Sequence, residues 1–145
     1  KGIVIKTSSF TKDFLKELLE SIKTTYPIHI VDDDNGFELK GIEVGKDIFD
    51  EFVFLSDTCV IHDNSFFDEM FATDGGIEFS PNFLSFLGKY DSTVLKEIGV
   101  PEIKSKRHGV QLEFEWTTKY KKADKNLKKF HTMLPSDTFI FEKIW

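Results

Sequence analysis

An apolar run at residues 52–55, Phe-Val-Phe-Leu, constrains the fold of this chain more than any other stretch of its sequence. Four successive large apolar side chains are typical of a strand that is buried on both faces, as in a parallel sheet covered by helices. The run leads into Asp57, and a second apolar run, at residues 28–31, leads into three aspartates at 32–34. In open α/β sheets, ligands bind beyond the carboxyl ends of the strands. We therefore expect several carboxylates along one binding edge of one sheet.

The first 34 residues predict a strand, a helix and a second strand. Residues 2–6 are rich in β-branched side chains, and residues 28–31 alternate and follow a Tyr-Pro break. The residues between them that recur on one helical face are Phe14, Leu15, Leu18, Leu19 and Ile22. A helix that crosses between two strands of one sheet makes those strands parallel and the connection right-handed. We expect an α/β single domain with a mostly parallel central sheet and helices on both faces.

The second half of the chain gives weaker signals. We predict a helix that begins at Asp63 or Asn64, a turn at residues 73–76, a short strand at 77–79, a helical turn at 81–87 and a helix at 91–98 that ends at Gly99. Residues 103–129 fit a strand or a helix, and we favour the helix. Residues 138–142 alternate as in a strand.

Composition and charge limit the class of protein. The 145 residues suit one domain, and 16 phenylalanines supply a core. A single cysteine, Cys59, excludes an internal disulfide, no run is long enough to span a membrane, and the first residues do not resemble a signal peptide, so we expect a cytoplasmic location. The net charge of −6 and the lack of RNA-binding signatures argue against a nucleic-acid partner. Acids concentrate in residues 1–100 and bases in residues 101–145.

Several stretches of the first third resemble family 2 glycosyltransferases of the GT-A fold. They are the strand IVIKT at residues 3–7, the leucine-rich helix with the TTYP turn at 24–27, and the strand at 28–33 that ends in paired aspartates. Residues 55–57 are similar to the family's metal-binding Asp-x-Asp strand. The interval between Asp34 and Asp57 is shorter than in typical members, so the chain resembles a small, viral-type version. The resemblance implies metal-assisted, inverting transfer of a sugar from a nucleotide-diphosphate donor to an unknown glycan, lipid or protein acceptor.

The resemblance also implies roles for individual residues. Asp57 would coordinate the Mn²⁺ or Mg²⁺ ion that bridges the two donor phosphates, and His131 would add a nitrogen ligand, as a late histidine does in some GT-A enzymes. A hard cation on oxygen ligands stabilises the charge that builds on such a leaving group. Residues 1–63 would form the nucleotide-sugar-binding half and residues 64–145 the acceptor side. The residues implied at the base and ribose are Thr7, Ser8, Asp32 and Asp33.

Inverting transfer also needs a base that removes the proton of the acceptor hydroxyl. The candidates are Asp74, Glu113 and Glu115. Asp74 precedes two glycines, where backbone can approach a sugar closely, and the two glutamates lie between aromatic residues whose rings could stack on one. Each is equally compatible with an ordinary surface acid, so the identity of the base stays open.

Two other classes of protein share parts of this pattern. A response-regulator receiver also has acids after two strands, but it needs a further strand and helix between them and a late strand that ends in Lys-Pro. The second alternative is a GT-A-like domain that binds a nucleotide or sugar without turnover. It is favoured by Ser56 and Thr58, which stand where a second metal-binding aspartate would be expected.

Overall fold

The computed structural model describes residues 1–35, 37–78, 87–103, 105–129 and 141–143, which form one mixed α/β domain. A six-stranded sheet lies at its centre, and a pair of short strands forms a second sheet. The strands are β1 (Gly2–Thr7), β2 (Ile28–Asp32), β3 (Glu51–Ser56), β4 (Cys59–Ile61), β5 (Ile77–Glu78), β6 (Leu87–Asp91), β7 (Lys128–Lys129) and β8 (Phe141–Lys143). The helices are α1 (Lys12–Ser21), α2 (Phe37–Ile48), α3 (Ser65–Phe71), α4 (Ser92–Ile98) and α5 (Lys106–Ala123).

The central sheet has the strand order β2-β1-β3-β6-β5-β7. Strand β1 is parallel to both of its neighbours, so that Ile5 pairs with Ile30 on one side and Leu55 on the other. Strand β6 is antiparallel to β3 and to β5, and β7 is parallel to β5. Five of the six strands therefore run in one direction, which confirms the predicted mostly parallel sheet.

One face of the sheet packs against α1 and α3. Alternation along the strands brings Ile3, Val53 and Ile77 to this face, where they join Leu18 of α1 and Phe67 of α3 in one buried cluster. Strand β3 is buried along its apolar length, because helices cover both faces. The expected strand–helix–strand opening and the central position of the 52–55 run are both confirmed.

The other face packs against α2, α4 and α5. Two glycines of α2 lie directly on the sheet: a Cβ atom on Gly41 would lie 2.6 Å from the Phe54 ring, and one on Gly45 would lie 2.8 Å from the Phe52 ring. Helix α2 was not predicted, because glycines at spacing four lower helix propensity. Close packing of a helix on aromatic rings is the reason that these positions carry no side chain.

An aromatic cluster joins α5 to β6 on this second face. The ring centroid of Trp116 lies 5.8 Å from that of Tyr90 and 5.9 Å from that of Tyr120. The Tyr120 hydroxyl accepts a hydrogen bond from the Asp91 backbone N–H and donates one to Asp124 Oδ2. Burial is the main cause that raises the pKa of Tyr90 and of Tyr120 above the usual tyrosine range. The predicted helix within 103–129 is thus confirmed, and it is tied to the sheet by aromatic packing.

Other elements of the second half follow the predictions in part. Helix α4 is capped at its start by Asp91, whose side chain accepts the Thr93 N–H, and at its end by Gly99, whose φ of 78° favours glycine. The prediction that a helical turn at 81–87 ends at Leu87 is wrong for this residue, because Leu87 begins strand β6. The rest of that turn, Phe79 of the strand at 77–79, and residues 138–140 lie outside the described residues.

Candidate functional site

The carboxyl ends of β1, β2 and β3 meet at one edge of the sheet. Thr7 ends β1 and pairs with Asp32, which ends β2, while Asp57 follows the last residue of β3. The Asp57 backbone N–H donates to Lys6 O and the Asp33 N–H donates to Thr7 O, which ties the three strand ends together. We call this edge, with the loop at residues 8–11, the carboxyl edge.

Asp57 is buried at the carboxyl edge, with a fractional exposure of 4%. Its Oδ2 atom accepts two hydroxyl hydrogen bonds, from Thr7 Oγ1 at 2.7 Å and from Thr11 Oγ1 at 2.5 Å. Such bonds to an ionised carboxylate are stronger than those between neutral groups. The Asp57 side chain therefore holds the β1–α1 loop against the end of β3.

The same loop is held from its other side by Asp34. Its two carboxylate oxygens accept hydrogen bonds from the Ser9 backbone N–H at 2.7 Å and from Ser9 Oγ at 2.6 Å. These bonds, the side-chain one first, lower the pKa of Asp34. Phe10, between the two anchored residues, is 80% exposed. An aromatic ring with so much apolar surface in water at a strand-end loop is available to stack on a planar ligand.

Two lysines lie among the acids of the carboxyl edge. Lys12 Nζ lies 3.2 Å from Asp32 Oδ2 in an exposed ion pair. Lys6 is buried, and its Nζ donates to the backbone oxygens of Thr7, at 2.9 Å, and of Asp33. The Asp33 carboxylate accepts the Asn35 N–H. Carboxylate oxygens and lysine N–H groups at one edge suit a ligand that carries both hydroxyls and anionic groups.

The residues around Asp57 do not form a divalent-metal site within the described ranges. Ser56 and Thr58 flank Asp57 and lie 3.2 Å apart, hydroxyl to hydroxyl, and the Asp57 Oδ2 atom accepts two threonine hydroxyls. Among the described residues, no group of three His, Cys, Asp or Glu side chains is placed to hold a metal ion. The expected ligand His131 lies outside those residues. Mg²⁺ is usually held by one or two carboxylates together with substrate phosphates and waters, so Asp57 would hold such an ion only together with a bound donor.

The three candidate bases do not lie together at the carboxyl edge. Asp74 precedes β5, which runs parallel to β3, so Asp74 lies at the opposite edge of the sheet from Asp57. Glu113 is half-buried on α5, where its charge adds to the effect of burial in raising the pKa of Tyr90. Glu115 is exposed and lines a cleft of about 340 Å³ between α4 and α5. Since α5 covers the second face, the Thr7–Asp57 bond lies on the far side of the sheet from both glutamates.

A cleft of about 440 Å³ opens beside the end of β2. It lies between the residues that follow this strand and the loop at 101–103, and its walls are mainly polar. The side chains around it are Asp33, Asn35, Lys40, Glu43, Pro101, Glu102 and Ile103. Its position at the carboxyl end of a parallel strand is where ligands bind in open α/β sheets.

Sequence reasoning missed several residues of the carboxyl edge. Thr11 and Ser9 are residue types typical of a helix N-cap, and only the fold shows that they bond to Asp57 and Asp34. Lys6 had a signal, because a charged residue interrupts an otherwise apolar strand. Phe10 also had a sequence signal, because a large aromatic side chain stands among polar loop residues.

Comparison with known proteins identifies the fold. The sequence matches no family model and no curated protein. The structure of a mutant Drosophila beta-1,4-galactosyltransferase 7 in complex with manganese, UDP-Gal and xylobiose is similar to all of this chain, with a TM-score of 0.62 at 10% sequence identity, and 71% of that chain is covered. The catalytic domain of the same Drosophila enzyme in complex with xylobiose gives a TM-score of 0.61 at 12% identity over 99% of this chain and 70% of that one.

These likenesses confirm the predicted GT-A architecture and leave membership of family 2 as an expectation. Within the described ranges, no helix combines the length and apolar character needed to cross a lipid bilayer.

Proposed function

We propose that this chain binds a nucleotide-diphosphate sugar at the carboxyl edge and transfers its sugar to an acceptor hydroxyl. The observation that supports this most is the convergence of Thr7, Asp32 and Asp57 at the ends of three adjacent parallel strands. Structures of similar fold hold UDP-Gal and xylobiose. Donor binding is assigned to residues 1–63 and the acceptor side to residues 64–145.

The nucleoside has a suitable place at the end of β2. Carboxylates and hydroxyls of Asp32, Asp33, Thr7 and Ser8 offer acceptors and donors for ribose and base. The 440 Å³ cleft beside Asp33 has room for a nucleoside, and the exposed Phe10 ring offers a surface for base stacking.

Metal assistance and inversion come from the family resemblance. A manganese ion is present in the complex of one similar structure. In this chain Mn²⁺ or Mg²⁺ would need ligands beyond Asp57, and His131 is the proposed one. Among the described residues, none is grouped with Asp57 as part of a three-ligand metal site.

Titration calorimetry tests donor binding. UDP and GDP are titrated into the protein with and without Mn²⁺, and into Asp57→Ala, Asp57→Asn and, as a control on the exposed side of α3, Glu69→Ala. We expect micromolar binding that Asp57→Ala weakens at least tenfold and Glu69→Ala leaves unchanged. Asp57→Asn keeps an acceptor for the threonine hydroxyls, so it separates loss of charge from loss of loop anchoring. No binding of UDP, GDP, ADP or dTDP under any condition contradicts the proposal.

A second candidate, binding without turnover, is favoured by the dispersed positions of Asp74, Glu113 and Glu115. The two candidates differ in UDP release from UDP-Gal with xylobiose as a trial acceptor. Release that exceeds the protein-free rate supports transfer or hydrolysis. Tight donor binding with no release from any of several sugar nucleotides supports the binding protein.

A further inference from the structure

We infer that the buried ammonium group of Lys6 binds the phosphate groups of the nucleotide donor, and that this contact forms without a divalent ion. This inference rests on the proposed function and names a residue that neither the resemblance nor the comparisons assign to the donor. It begins from an anomaly in the sequence: a lysine stands in a strand whose six residues are all buried.

Lys6 and Lys89 make an instructive contrast, because both are buried lysines of the central sheet. Lys89 is fully buried, and its Nζ lies 3.0 Å from Glu51 Oε1, so its charge is compensated. Lys6 is 6% exposed, and among the described residues it forms no ion pair with any carboxylate. A buried charge without an opposite charge is costly, by several kcal/mol. Its retention in a strand calls for a role that an apolar residue would not fill.

The ammonium of Lys6 lies at the carboxyl edge, where the donor is proposed to bind. Its two hydrogen-bond acceptors are the backbone oxygens of Thr7 and Asp33, at the ends of adjacent strands. An ammonium has three N–H donors, so one remains for a ligand. The charge acts on this edge already, since Lys6 contributes to the lowered pKa of Asp34, after the Ser9 hydrogen bonds.

The acids of the carboxyl edge lie near this charge, but none of the described ones forms an ion pair with it, and three of them bond to other groups. Asp32 is paired with Lys12, Asp34 is bonded to Ser9, and Asp57 is bonded to two threonines. Among the described residues, no three His, Cys, Asp or Glu side chains are grouped so that they could hold a metal ion. Lys6 is therefore the buried positive charge that this edge offers to an anion.

The experiment compares uridine, UMP and UDP in EDTA at low ionic strength, by calorimetry on wild-type protein, Lys6→Met, Lys6→Arg and the exposed-surface control Lys16→Met. Charge-assisted bonds to phosphate predict that wild type binds UMP about 10- to 100-fold more tightly than uridine. Lys6→Met should lose that preference while it keeps its affinity for uridine, Lys6→Arg should retain part of it, and Lys16→Met should match wild type. Retained uridine binding shows that Lys6→Met is folded.

Three results overturn the inference and leave the proposed function in place. They are equal affinity of wild type for uridine and UMP in EDTA, loss of UDP binding in EDTA with recovery in Mn²⁺, and an unchanged phosphate preference in Lys6→Met. The first two need only the wild-type protein, so misfolding of a variant does not block the test. Failure of every nucleotide to bind, with or without metal, overturns the proposed function and this inference together.

Discussion

Thr11 donates its hydroxyl to the Asp57 carboxylate, and helix α1 consequently begins without a side-chain cap. A threonine at this position usually accepts a backbone N–H of the first turn, which contributes about 1 kcal/mol to stability. Here the Thr11 hydroxyl bonds to Asp57 instead, so this one hydrogen bond joins the start of α1 to the end of β3. The carboxyl edge is thus shaped before any ligand arrives.

Replacement of Asp57 should destabilise the protein as well as affect ligand binding. In Asp57→Ala the buried Thr7 hydroxyl loses its acceptor, and an unsatisfied buried polar group costs about 1–3 kcal/mol. Urea unfolding measures this loss. Asp47→Ala, at an exposed position of α2, is the control and should change stability by less than about 0.5 kcal/mol. Equal stability of Asp57→Ala and wild type would mean that the threonine bonds do not hold the loop.

The anchor between Ser9 and Asp34 should loosen in acid. Because the Ser9 bonds lower the pKa of Asp34 below its ordinary value of 3.8, the anchor is fully present above that value and is lost as pH falls through the lowered pKa. An NMR titration of the Ser9 amide from pH 7 down to about 2 should show its downfield shift disappear in this acidic window. Asp34→Asn should abolish the titration. A Ser9 amide that titrates unchanged in that variant would show that another group is responsible.

Gly41 should not tolerate a side chain, even though alanine is the better helix former. Its added Cβ would lie 2.6 Å from the Phe54 ring, inside a packed layer. Overpacking costs about 1–3 kcal/mol, which exceeds the gain of about 1 kcal/mol in helix propensity. Thermal unfolding of Gly41→Ala should therefore give a lower Tm. The matched control is Glu43→Ala in the same helix, and a raised Tm for Gly41→Ala would show that α2 sits farther from the sheet.

Lys89 should contribute strongly to stability through Glu51. Removal of one partner from a buried pair leaves the other uncompensated, so Lys89→Met should cost about 3 kcal/mol. Denaturant titration of Lys89→Met, Glu51→Gln and the double variant gives the coupling between them. By contrast, Lys12→Met breaks an exposed pair with Asp32 and should cost under about 1 kcal/mol. Additive single effects at Lys89 and Glu51 would contradict the pairing.

The elements that could be predicted from sequence are those whose pattern is local. Strand β1, helix α1 and strand β2 show regular apolar spacing, and strand β3 shows an unbroken apolar run. The shared location of the aspartates that follow β2 and β3 could be predicted from the topology of parallel sheets. The architecture was therefore accessible before the structure was known.

The elements that could not be predicted depend on distant partners. Strand β6 contains Gly88 and Lys89, which look polar and flexible until Glu51 pairs with the lysine. Helix α2 contains glycines that make sense only beside Phe52 and Phe54. The position of Asp74, by contrast, could have been predicted. A residue that precedes a strand parallel to β3 lies at the opposite edge of the sheet from Asp57.

The clustered rings of Tyr90, Trp116 and Tyr120 also give this protein an intrinsic fluorescence probe. Their centroids lie within 6 Å, so light absorbed by either tyrosine passes to the indole, and Trp116 Nε1 is tied to Gly99 O. With Trp145 replaced by phenylalanine, indole emission on tyrosine excitation reports how closely α5 lies on β6. A ligand or solvent that separates α5 from β6 will lower this indole emission before the protein unfolds globally.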